Sequence, residues 1–344
     1  MFGVIGSGSW ATALVKILTD NHRPVNWLVR SGAMADHITK QKNNPGYLSS
    51  VFFDTTLLTL STDITEVVSA SDIIIIAVPS AYILDTLKPL TPNAFKDKKI
   101  ISAIKGIMPQ DNVLLNDYLQ KEFDLDLKNY FTVMGPCHAE EVAEEKLSYL
   151  TFSGADEETA VEIALHFKTK YLNTIVNDDV YGVQFAAILK NIYALGAGIA
   201  HGLKYGDNFL SVLIANSADE MAGFLHNVGI HHIEVGIHEG EDPVTHKKRA
   251  NYAASVYLGD LLVTCYSLYS RNRNFGNMIG KGLSVRAAQL EMNMVAEGYT
   301  ASKSIYMINQ NVKSEMPIAE TVYKILWEQL SPKQGFKQIE EMLV

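Results

Sequence analysis

The sequence predicts a two-domain α/β protein in which a doubly wound parallel sheet is followed by an all-α domain. In the first half, short β-branched runs alternate with helix-length segments, as in a sheet that helices cover on both faces. The run at 73–78 is apolar throughout, which indicates a strand buried on both faces. After about Val180 the pattern changes to long helices with few glycine or proline breaks. We therefore place the sheet domain at residues 1–177 and the helical domain at residues 178–344.

The apolar runs of the first half indicate where its strands lie. We predict strands at about residues 2–5, 25–29, 73–77, 99–103, 131–134 and 149–152, and another near 173–176. Pro79 ends the third of these strands, because proline has no N–H to donate to a sheet. In the second half, apolar residues recur at helical spacing through 181–201. Small residues at 194 and 196–198 of that helix allow a neighbouring element to approach closely.

The composition excludes several classes of partner. The chain carries 38 Asp and Glu against 29 Lys and Arg, a formal net charge of −9, so it lacks the basic surplus that binds nucleic acid or anionic membranes nonspecifically. Its longest apolar run is far shorter than the roughly 20 residues of a membrane helix. Residues 1–18 lack the features of a signal peptide, and two cysteines without a C-x-x-C pair are typical of a reducing compartment. We expect a soluble, cytoplasmic protein.

A glycine-rich turn follows the first predicted strand. Residues 6–11 read Gly-Ser-Gly-Ser-Trp-Ala, the pattern G-x-G-x-x-A between a strand and a helix. Gly6 permits a tight turn, Gly8 lets a pyrophosphate approach the backbone, and Ala11 keeps the helix close to the sheet. The amides that open the helix would face the phosphates. An ordinary strand-to-helix turn is the alternative, but this position in the chain favours a Rossmann-type dinucleotide site.

The residue after the second strand bears on the choice of cofactor. An NAD-specific site usually has an acidic residue at this point to bind the ribose hydroxyls. Here the strand ends at Arg30, whose guanidinium can stack on adenine or pair with a 2′-phosphate. We therefore expect both NADPH and NADH to be accepted and NADPH to be favoured. A solvated arginine at the end of the strand is the alternative.

Polar residues follow the later strands of the sheet, at the edge where an open parallel sheet binds its ligand. Pro79 and Ser80 follow the third strand, Lys105 follows the fourth, and Gly-Pro-Cys-His-Ala-Glu at 135–140 follows the strand ending at Met134. Lys105 taken alone could be a solvated loop residue. Together these residues are candidates for a site that binds substrate and cofactor.

The helical half contains charged residues in apolar surroundings. Lys190 lies in an otherwise apolar helix, where a lysine is costly unless it is paired or functional. Asp260 lies in another apolar helix and could form a structural ion pair or orient a catalytic lysine. The segment 270–273, Ser-Arg-Asn-Arg, suits a phosphate or carboxylate ligand, although it could also be a solvated helix end.

Taken in order, these segments resemble the NAD(P)-dependent glycerol-3-phosphate dehydrogenases of bacterial type. The resemblance spans about residues 3–300 and depends on the segments 6–14, 102–107, 135–140, 189–191, 259–261, 270–273 and 294–298. It implies a Rossmann domain joined to a helical domain like that of the 6-phosphogluconate dehydrogenase group. It also implies an enzyme that reduces dihydroxyacetone phosphate to sn-glycerol 3-phosphate, which supplies phospholipid synthesis.

The resemblance implies roles for individual residues as well. Lys190 matches the catalytic lysine, and we place Asp260 and Lys105 with it in the catalytic set. The implied substrate contacts are Lys105, Gly135, Cys137, Lys190, Asn191, Asp260, Ser270, Arg271 and Asn272. The implied contacts of NADP or NAD are Gly6, Gly8, Ser9, Trp10, Ala11, Arg30, Pro79, Lys105, Ala139, Arg271, Val295 and Glu297. No metal site is expected.

The chain departs from the family pattern in two places. Cys137 and His138 stand where the bacterial enzymes usually have serine and phenylalanine, so the hydroxyl that touches substrate becomes a thiol and the contact is weakened or water-mediated. An apparent insertion at 230–250 carries four histidines, His231, His232, His238 and His246. Their irregular spacing favours a surface excursion over metal binding.

The implied chemistry is hydride transfer from the nicotinamide to a ketone carbon. Lys190 would be the general acid, with its pKa lowered by Lys105 and Arg271 and its position held by Asp260. The four residues Lys105, Ser270, Arg271 and Asn272 would hold the substrate phosphate. The alternatives are another two-domain hydroxyacid or ketoacid reductase, which lacks S-R-N-R after a G-D-L helix, and an inactive nicotinamide-binding sensor. A small-molecule substrate is the expected partner, and homodimerisation is left open.

Overall fold

The computed structural model describes residues 1–108, 112–231, 256–292 and 296–343. It divides into two units. The first consists of Met1–Ile104 and Val113–Val180, and the second consists of Lys105–Asn112 and Tyr181–Val344. Lys105 therefore belongs to the same unit as Lys190, although the first unit surrounds it in sequence. The predicted domain boundary between residues 177 and 178 stays a prediction.

The first unit is built on an eight-stranded sheet. Its strands are β1 (Phe2–Ile5), β2 (Val25–Leu28), β3 (Leu58–Ser61), β4 (Ile73–Ile76), β5 (Lys99–Ser102), β6 (Tyr130–Met134), β7 (Ser148–Gly154) and β8 (Leu172–Asn177). They lie in the order β3-β2-β1-β4-β5-β6-β7-β8. The first six strands have the order of a doubly wound dinucleotide-binding sheet. In such a sheet, successive strands are added outward on one side of β1 and then, from β4 onward, on its other side. The predicted fold class is confirmed.

Seven of the eight strands coincide with the predicted ones, and two features of the sheet differ from the prediction. The strand β3 is missing from the prediction because it is only four residues long, lies at the sheet edge and has none of the continuous apolar runs that indicate buried strands. The pairing of β6 with β7 is antiparallel, whereas the neighbouring pairs elsewhere in the sheet are parallel. The connection from β6 to β7, residues 135–147, contains only a five-residue helix. It is shorter than the crossover connection that usually joins two parallel strands.

Helices cover both faces of this sheet. They are α1 (Ser9–Asp20), α2 (Gly32–Gln41), α3 (Ile64–Ser69), α4 (Ile83–Leu87), α5 (Leu115–Phe123), α6 (Ala139–Ala143) and α7 (Glu157–Leu165). Nearly every residue of α1 is buried, including Lys16, which is 7% exposed. Its ammonium pairs with Asp20 at 2.6 Å and Glu145 at 3.0 Å and lies 5.1 Å from the centre of the Tyr171 ring. Because these partners compensate its charge, the helix after the glycine turn is fixed deep in the unit.

The described secondary structure of the second unit is mainly helical. Its helices are α8 (Val180–Gly202), α9 (Asp207–Asn227), α10 (Leu258–Tyr266), α11 (Arg271–Gly280), α12 (Val285–Glu291), α13 (Glu297–Val312), α14 (Pro317–Trp327) and α15 (Pro332–Met342). The predicted helix at 181–201 is confirmed as α8. By length and composition α8 could cross a membrane, but 94% of its apolar window is buried within the protein, as in a core helix.

Two pairs of glycines bring α8 and α11 into backbone contact. Gly198 and Gly202 lie one turn apart on α8, and Gly276 and Gly280 lie one turn apart on α11, so each pair shares one helix face. A Cβ on Gly198 would lie 2.0 Å from the carbonyl oxygen of Arg273, and a Cβ on Gly276 would lie equally close to that of Leu195. The prediction that small residues in α8 admit a close neighbour is confirmed.

A buried carboxylate joins α9 to α14. Glu220 is 7% exposed, and its two carboxylate oxygens accept hydrogen bonds from the backbone amides of Ile318 and Ala319 at the start of α14. Burial raises the pKa of Glu220 to about 7, although the two amides act in the opposite direction. The neighbouring carboxylate of Asp219 raises this pKa further.

We predict that Glu220 makes stability depend on pH. Because its pKa rises from 4.5 to about 7 on folding, the folded chain binds more protons between these values, and the free energy of unfolding falls as pH rises through them. At about 1.4 kcal/mol per pKa unit, the full decline is about 3 kcal/mol. Urea unfolding of wild type and Glu220→Gln from pH 4.5 to 8 should show this decline only in the wild type. The exposed Glu291→Gln is the matched control, and parallel curves for wild type and Glu220→Gln would contradict the prediction.

Candidate active site

The glycine turn has the geometry that its sequence predicts. Gly6 has a φ of +124°, and a Cβ there would lie 2.4 Å from the carbonyl oxygen of Ala77 at the end of β4. Over Gly8 the space is open, since a Cβ there would meet nothing within 4 Å. No side chain caps the start of α1 by a hydrogen bond in the described structure. The residues present therefore fit a dinucleotide whose pyrophosphate approaches Gly8 and the helix N-terminus.

Two side chains that the sequence analysis does not single out hold this turn. The Trp27 indole donates to the carbonyl oxygen of Gly6 at 2.7 Å. The amide of Asn44, which is fully buried, donates to the carbonyl oxygen of Ser7 at 3.2 Å and to the hydroxyl of Thr12 at 2.7 Å. Asn44 lies in a segment that reads as an ordinary polar loop, so no sequence signal marks it.

Arg30 lies exposed just after β2, as predicted. Its guanidinium lies 5.9 Å from the centre of the Tyr47 ring and 3.5 Å from the Tyr47 hydroxyl. Ser31 is the N-cap of α2, because its hydroxyl accepts from the amide of Met34. Tyr47 thus orients a guanidinium that keeps its outer face open to solvent. The role of Arg30 towards a 2′-phosphate stays a prediction.

The segment after β6 lies at the carboxyl edge of the sheet. Gly135 has a φ of +134°, and a Cβ there would lie 2.8 Å from the carbonyl oxygen of Tyr149, so the backbone requires glycine. Cys137 is 6% exposed and belongs to the apolar core, and Ala139 opens α6. Pro79 follows β4 at the same edge. The substrate and cofactor roles of these residues stay predictions.

In the second unit, Lys190 and Asp260 form an ion pair that is almost completely buried. The ammonium of Lys190 on α8 bonds to one carboxylate oxygen of Asp260 on α10, and the residues are 3% and 1% exposed. The hydroxyl of Thr264, one turn further along α10, lies 3.5 Å from the same oxygen. The other carboxylate oxygen, Oδ2, is buried without a hydrogen-bond partner among the described residues. Such a pair is costly to bury, which points to a function.

Burial is the main reason for the unusual acidity of Lys190. It lowers the pKa of this lysine to about 7; Asp260 opposes the shift, and the neighbouring cation Lys105 adds to it. The side-chain amide of Asn191 donates to the carbonyl oxygen of Lys105 at 3.3 Å, which brings that segment to α8. The pKa of Lys190 was expected to be lowered by Lys105 and Arg271, but desolvation is the larger cause, and Lys105 contributes less.

The starts of α11 and α13 meet beside Asn191. Ser270 is the N-cap of α11, since its hydroxyl accepts from the backbone amide of Arg273. Asn272 accepts from the amide of Gly298 at 2.8 Å through its Oδ1 atom. A Cβ on Gly298 would lie 2.5 Å from the carbonyl oxygen of Asn191, so α13 touches α8 directly. The structure thus brings the predicted residues Ser270, Asn272 and Asn191 into one region of the second unit.

The predicted site residues fall into two groups. The first unit holds Gly6, Gly8, Ser9, Trp10, Ala11, Arg30, Pro79, Gly135, Cys137 and Ala139. The second unit holds Lys105, Lys190, Asn191, Asp260, Ser270, Arg271, Asn272 and Glu297, of which Glu297 is the first residue of α13. Val295 lies outside the described residues, as do His232, His238 and His246. Within the described ranges no three His, Cys, Asp or Glu residues are grouped to hold a metal ion.

Comparison with known proteins identifies the family. Two family models match the chain: the N-terminus of NAD-dependent glycerol-3-phosphate dehydrogenase at residues 2–160 and its C-terminus at residues 179–337. The chain belongs to the NAD-dependent glycerol-3-phosphate dehydrogenase family. This membership confirms the predicted class, an NAD(P)-dependent oxidoreductase, and does not favour the ketoacid reductase or the inactive sensor.

Individual relatives agree with the family models over almost the whole chain. The chain is 33% identical to glycerol-3-phosphate dehydrogenase (NAD(P)+) of Chlorobium limicola, over 94% of this chain and 92% of the relative. It is also 33% identical to the protein of the same name from Bacillus subtilis, over 94% of this chain and 89% of the relative. Among solved structures, a glycerol-3-phosphate dehydrogenase from Coxiella burnetii is 25% identical, with a TM-score of 0.86, covering 99% of this chain and 98% of that one.

We predict that Arg30 sets a preference for the phosphorylated cofactor. A charge-assisted contact is worth about 1.5–3 kcal/mol, which corresponds to about tenfold to hundredfold in affinity. Because Arg30 is exposed, we expect the lower end, about tenfold in favour of NADPH, and a reversed preference in Arg30→Asp. Dissociation constants for NADPH and NADH, measured from nicotinamide fluorescence in both proteins, test this. The exposed Arg23→Asp, before the start of β2, is the control, and an unchanged NADPH-to-NADH ratio in Arg30→Asp would show that Arg30 does not contact the 2′-phosphate.

Proposed function

We propose that this chain interconverts dihydroxyacetone phosphate and sn-glycerol 3-phosphate with NADPH or NADH, and so supplies glycerol 3-phosphate for phospholipid synthesis. The observation that carries the proposal is the buried Lys190–Asp260 pair, in which a lysine of pKa about 7 is held in place by a carboxylate. We assign dinucleotide binding to residues 1–177 and substrate binding and catalysis to residues 178–344 together with Lys105.

Lys190 acts as the general acid for ketone reduction. The bound cofactor supplies the hydride that adds to the ketone carbon. As negative charge develops on the carbonyl oxygen, the ammonium of Lys190 donates its proton and leaves a hydroxyl group. In the oxidation of glycerol 3-phosphate, the neutral amine accepts that proton back. Asp260 holds the nitrogen in place in both directions, since its Oδ1 atom bonds to the lysine.

The pKa of about 7 suits this role. A proton donor works best when its pKa lies near the operating pH, because both the charged and the neutral forms are then accessible. An ordinary lysine, with a pKa of 10.5, would remain charged and would be a poor base for the reverse reaction. Lys190 is 3% exposed, and its desolvation is the largest cause of the lowered pKa. The apolar packing around α8 therefore contributes to the proposed catalysis.

The first turn of α11 supplies the binding site for the substrate phosphate. Backbone amides at a helix N-terminus favour an anion, and Arg271 adds a guanidinium. Because Asn272 uses its Oδ1 atom to accept from Gly298, its amide nitrogen is the group it offers to the phosphate. Lys105 and Ser270 complete the proposed set. In a chain with a net charge of −9, this local group of cations is what attracts a dianion.

The assignments of partners and cellular location are less specific than those of the site residues. We propose a small-molecule substrate as a partner, with no nucleic acid and no membrane insertion, as the acidic composition supports. Cys137 and Cys265 are both buried free thiols, which supports a reducing cytoplasmic location. Homodimerisation stays open.

We predict that turnover follows the protonation of Lys190. Reduction of dihydroxyacetone phosphate should decline as pH rises above about 7, while oxidation of glycerol 3-phosphate should rise over the same range. Lys190→Ala should lower both rates on the order of 10²–10⁴-fold and leave the dissociation constant for NADPH unchanged. Absorbance assays of both directions from pH 5.5 to 9.5 measure this. The exposed Lys281→Ala is the control, and near-wild-type turnover by Lys190→Ala would refute the role of this lysine.

We predict that Arg271 recognises the phosphate group of the substrate. Arg271→Ala should raise KM for dihydroxyacetone phosphate about tenfold to hundredfold, the loss expected for a charge-assisted contact. It should weaken NADPH binding to a smaller extent, and unphosphorylated dihydroxyacetone should be a poor substrate of the wild type. Steady-state kinetics with both ketones, and with the exposed Arg286→Ala as a control, measure the difference. Equal efficiency of the wild type with both ketones would rule out this binding mode.

A further inference from the structure

Asn44 is a fully buried side chain that joins three segments of the first unit. It is 0% exposed, although it lies in the connection between α2 and β3. Its amide nitrogen donates to the carbonyl oxygen of Ser7 in the glycine turn and to the hydroxyl of Thr12 on α1. Its carbonyl oxygen accepts from the backbone amides of Gly46 and Tyr47. Both N–H donors and both acceptor positions of the side chain are used, so this position requires a carboxamide.

The bonds to Ser7 and Thr12 fix the direction of the glycine turn. In a planar trans peptide unit the N–H points opposite to the C=O, so holding the Ser7 carbonyl oxygen sets the direction of the Gly8 amide. The Gly8 carbonyl oxygen is held in turn by the hydroxyl of Thr12 at 2.8 Å and by its backbone amide at 2.9 Å. This sets the direction of the next amide, that of Ser9. The direction of these two amides decides how well the turn binds a pyrophosphate.

The bond to Tyr47 leads to the other end of the cofactor site. Asn44 accepts from the amide of Gly46 at 2.9 Å, which closes a tight turn, and from the amide of Tyr47 at 3.2 Å. The ring of Tyr47 in turn contacts the guanidinium of Arg30, whose carbon lies 5.9 Å from the ring centre. One buried side chain therefore connects the turn that faces the pyrophosphate with the arginine that is predicted to recognise the 2′-phosphate.

We propose that Asn44 is a positioning residue for the cofactor, which orients the amides of the glycine turn and holds Tyr47, and through it Arg30, at the 2′-phosphate. This inference rests on the cofactor part of the proposed function and on the predicted role of Arg30. The contact with the turn should affect NADPH and NADH alike, because both contain the pyrophosphate. The contact with Tyr47 should affect the difference between them, because only NADPH carries the 2′-phosphate.

A merely structural role for Asn44 predicts a different outcome. Asn26 on β2 is another buried asparagine of the first unit, and its amide donates to the carbonyl oxygen of Ala70 and to the hydroxyl of Ser71. Neither of these bonds involves the glycine turn. Loss of either asparagine should lower stability, because buried polar groups lose their partners. If Asn44 is a positioning residue, only its loss should also change cofactor binding, so Asn26→Leu is the matched control.

The first test measures dissociation constants for NADPH and NADH from nicotinamide fluorescence. Asn44→Leu should weaken binding of both cofactors about fivefold or more, the effect of one net hydrogen bond. It should also lower the NADPH-to-NADH preference, whereas Asn26→Leu should leave both constants unchanged. Wild-type constants in Asn44→Leu, or equal losses in the two asparagine variants, would overturn the proposal. Weaker binding with an unchanged preference would overturn the link to Arg30.

The second test separates the two contacts of Asn44. Thr12→Val removes the hydroxyl that links Asn44 to the Gly8 carbonyl, so it should weaken both cofactors and keep their ratio. Thr12→Ser retains the hydroxyl and should bind both cofactors as the wild type does. Tyr47→Leu should lower the ratio, mainly through weaker NADPH binding. In an Arg30→Ala background, Asn44→Leu should not lower the ratio further, and a further fall would contradict the proposed link.

These outcomes are distinguishable from a failure of the proposed function. A wild type that binds NADPH but does not reduce dihydroxyacetone phosphate would refute the proposed substrate, while the binding constants would still decide the role of Asn44. If circular dichroism shows that Asn44→Leu does not fold, Asn44→Ala removes the same hydrogen bonds without adding a branched side chain, and the same losses are expected. Unchanged constants in Asn44→Ala, or in both Thr12→Val and Tyr47→Leu, would overturn the proposal.

Discussion

The second unit is organised around one buried charge, the ammonium of Lys190. A lysine at 3% exposure is unfavourable unless a carboxylate compensates it, and Asp260 on α10 does so from a position that is itself almost fully buried. The pair therefore fixes α8 against α10 in one arrangement. The same desolvation that makes the lysine costly lowers its pKa to about 7. Desolvation is therefore the single cause of both the cost of burying Lys190 and its lowered pKa. The apolar residues along most of α8 provide that desolvation.

Close helix packing brings the residues that we propose to bind the substrate phosphate into the same unit as this charge. Glycines at 198, 202, 276 and 280 bring the backbones of α8 and α11 together, and Gly298 brings α13 against Asn191. A methyl group at Gly198, Gly276 or Gly298 would overlap a carbonyl oxygen. The first turn of α11, with Arg271 and Asn272, is therefore held beside α8 by backbone contact, and the Asn272 side chain adds a hydrogen bond to the start of α13.

Much of this arrangement could be predicted from the sequence because it depends on strong local patterns. The continuous apolar strand at 73–78, the G-x-G-x-x-A turn and the lone Lys190 each follow from residue type and position. The edge strand β3 was not predicted, and strand β7 was predicted without its antiparallel direction, which depends on how it pairs with β6. Asn44 was missed for a related reason: its hydrogen bonds to Ser7 and Thr12 join residues more than thirty positions apart. That Lys105 lies near Lys190 was predicted through the family resemblance and not from any local pattern.

The balance of charges around Lys190 connects the fold to the class of substrate. The chain is acidic as a whole, yet the buried Lys190 has a single carboxylate partner, Asp260, and a second cation, Lys105, acts on the same lysine. A buried excess of positive charge is unfavourable in the free protein and becomes favourable when a dianion enters. A neutral ketone would not relieve it. In the proposed function, this excess of positive charge therefore favours a phosphorylated substrate over a neutral one, in addition to the proposed contacts to the phosphate.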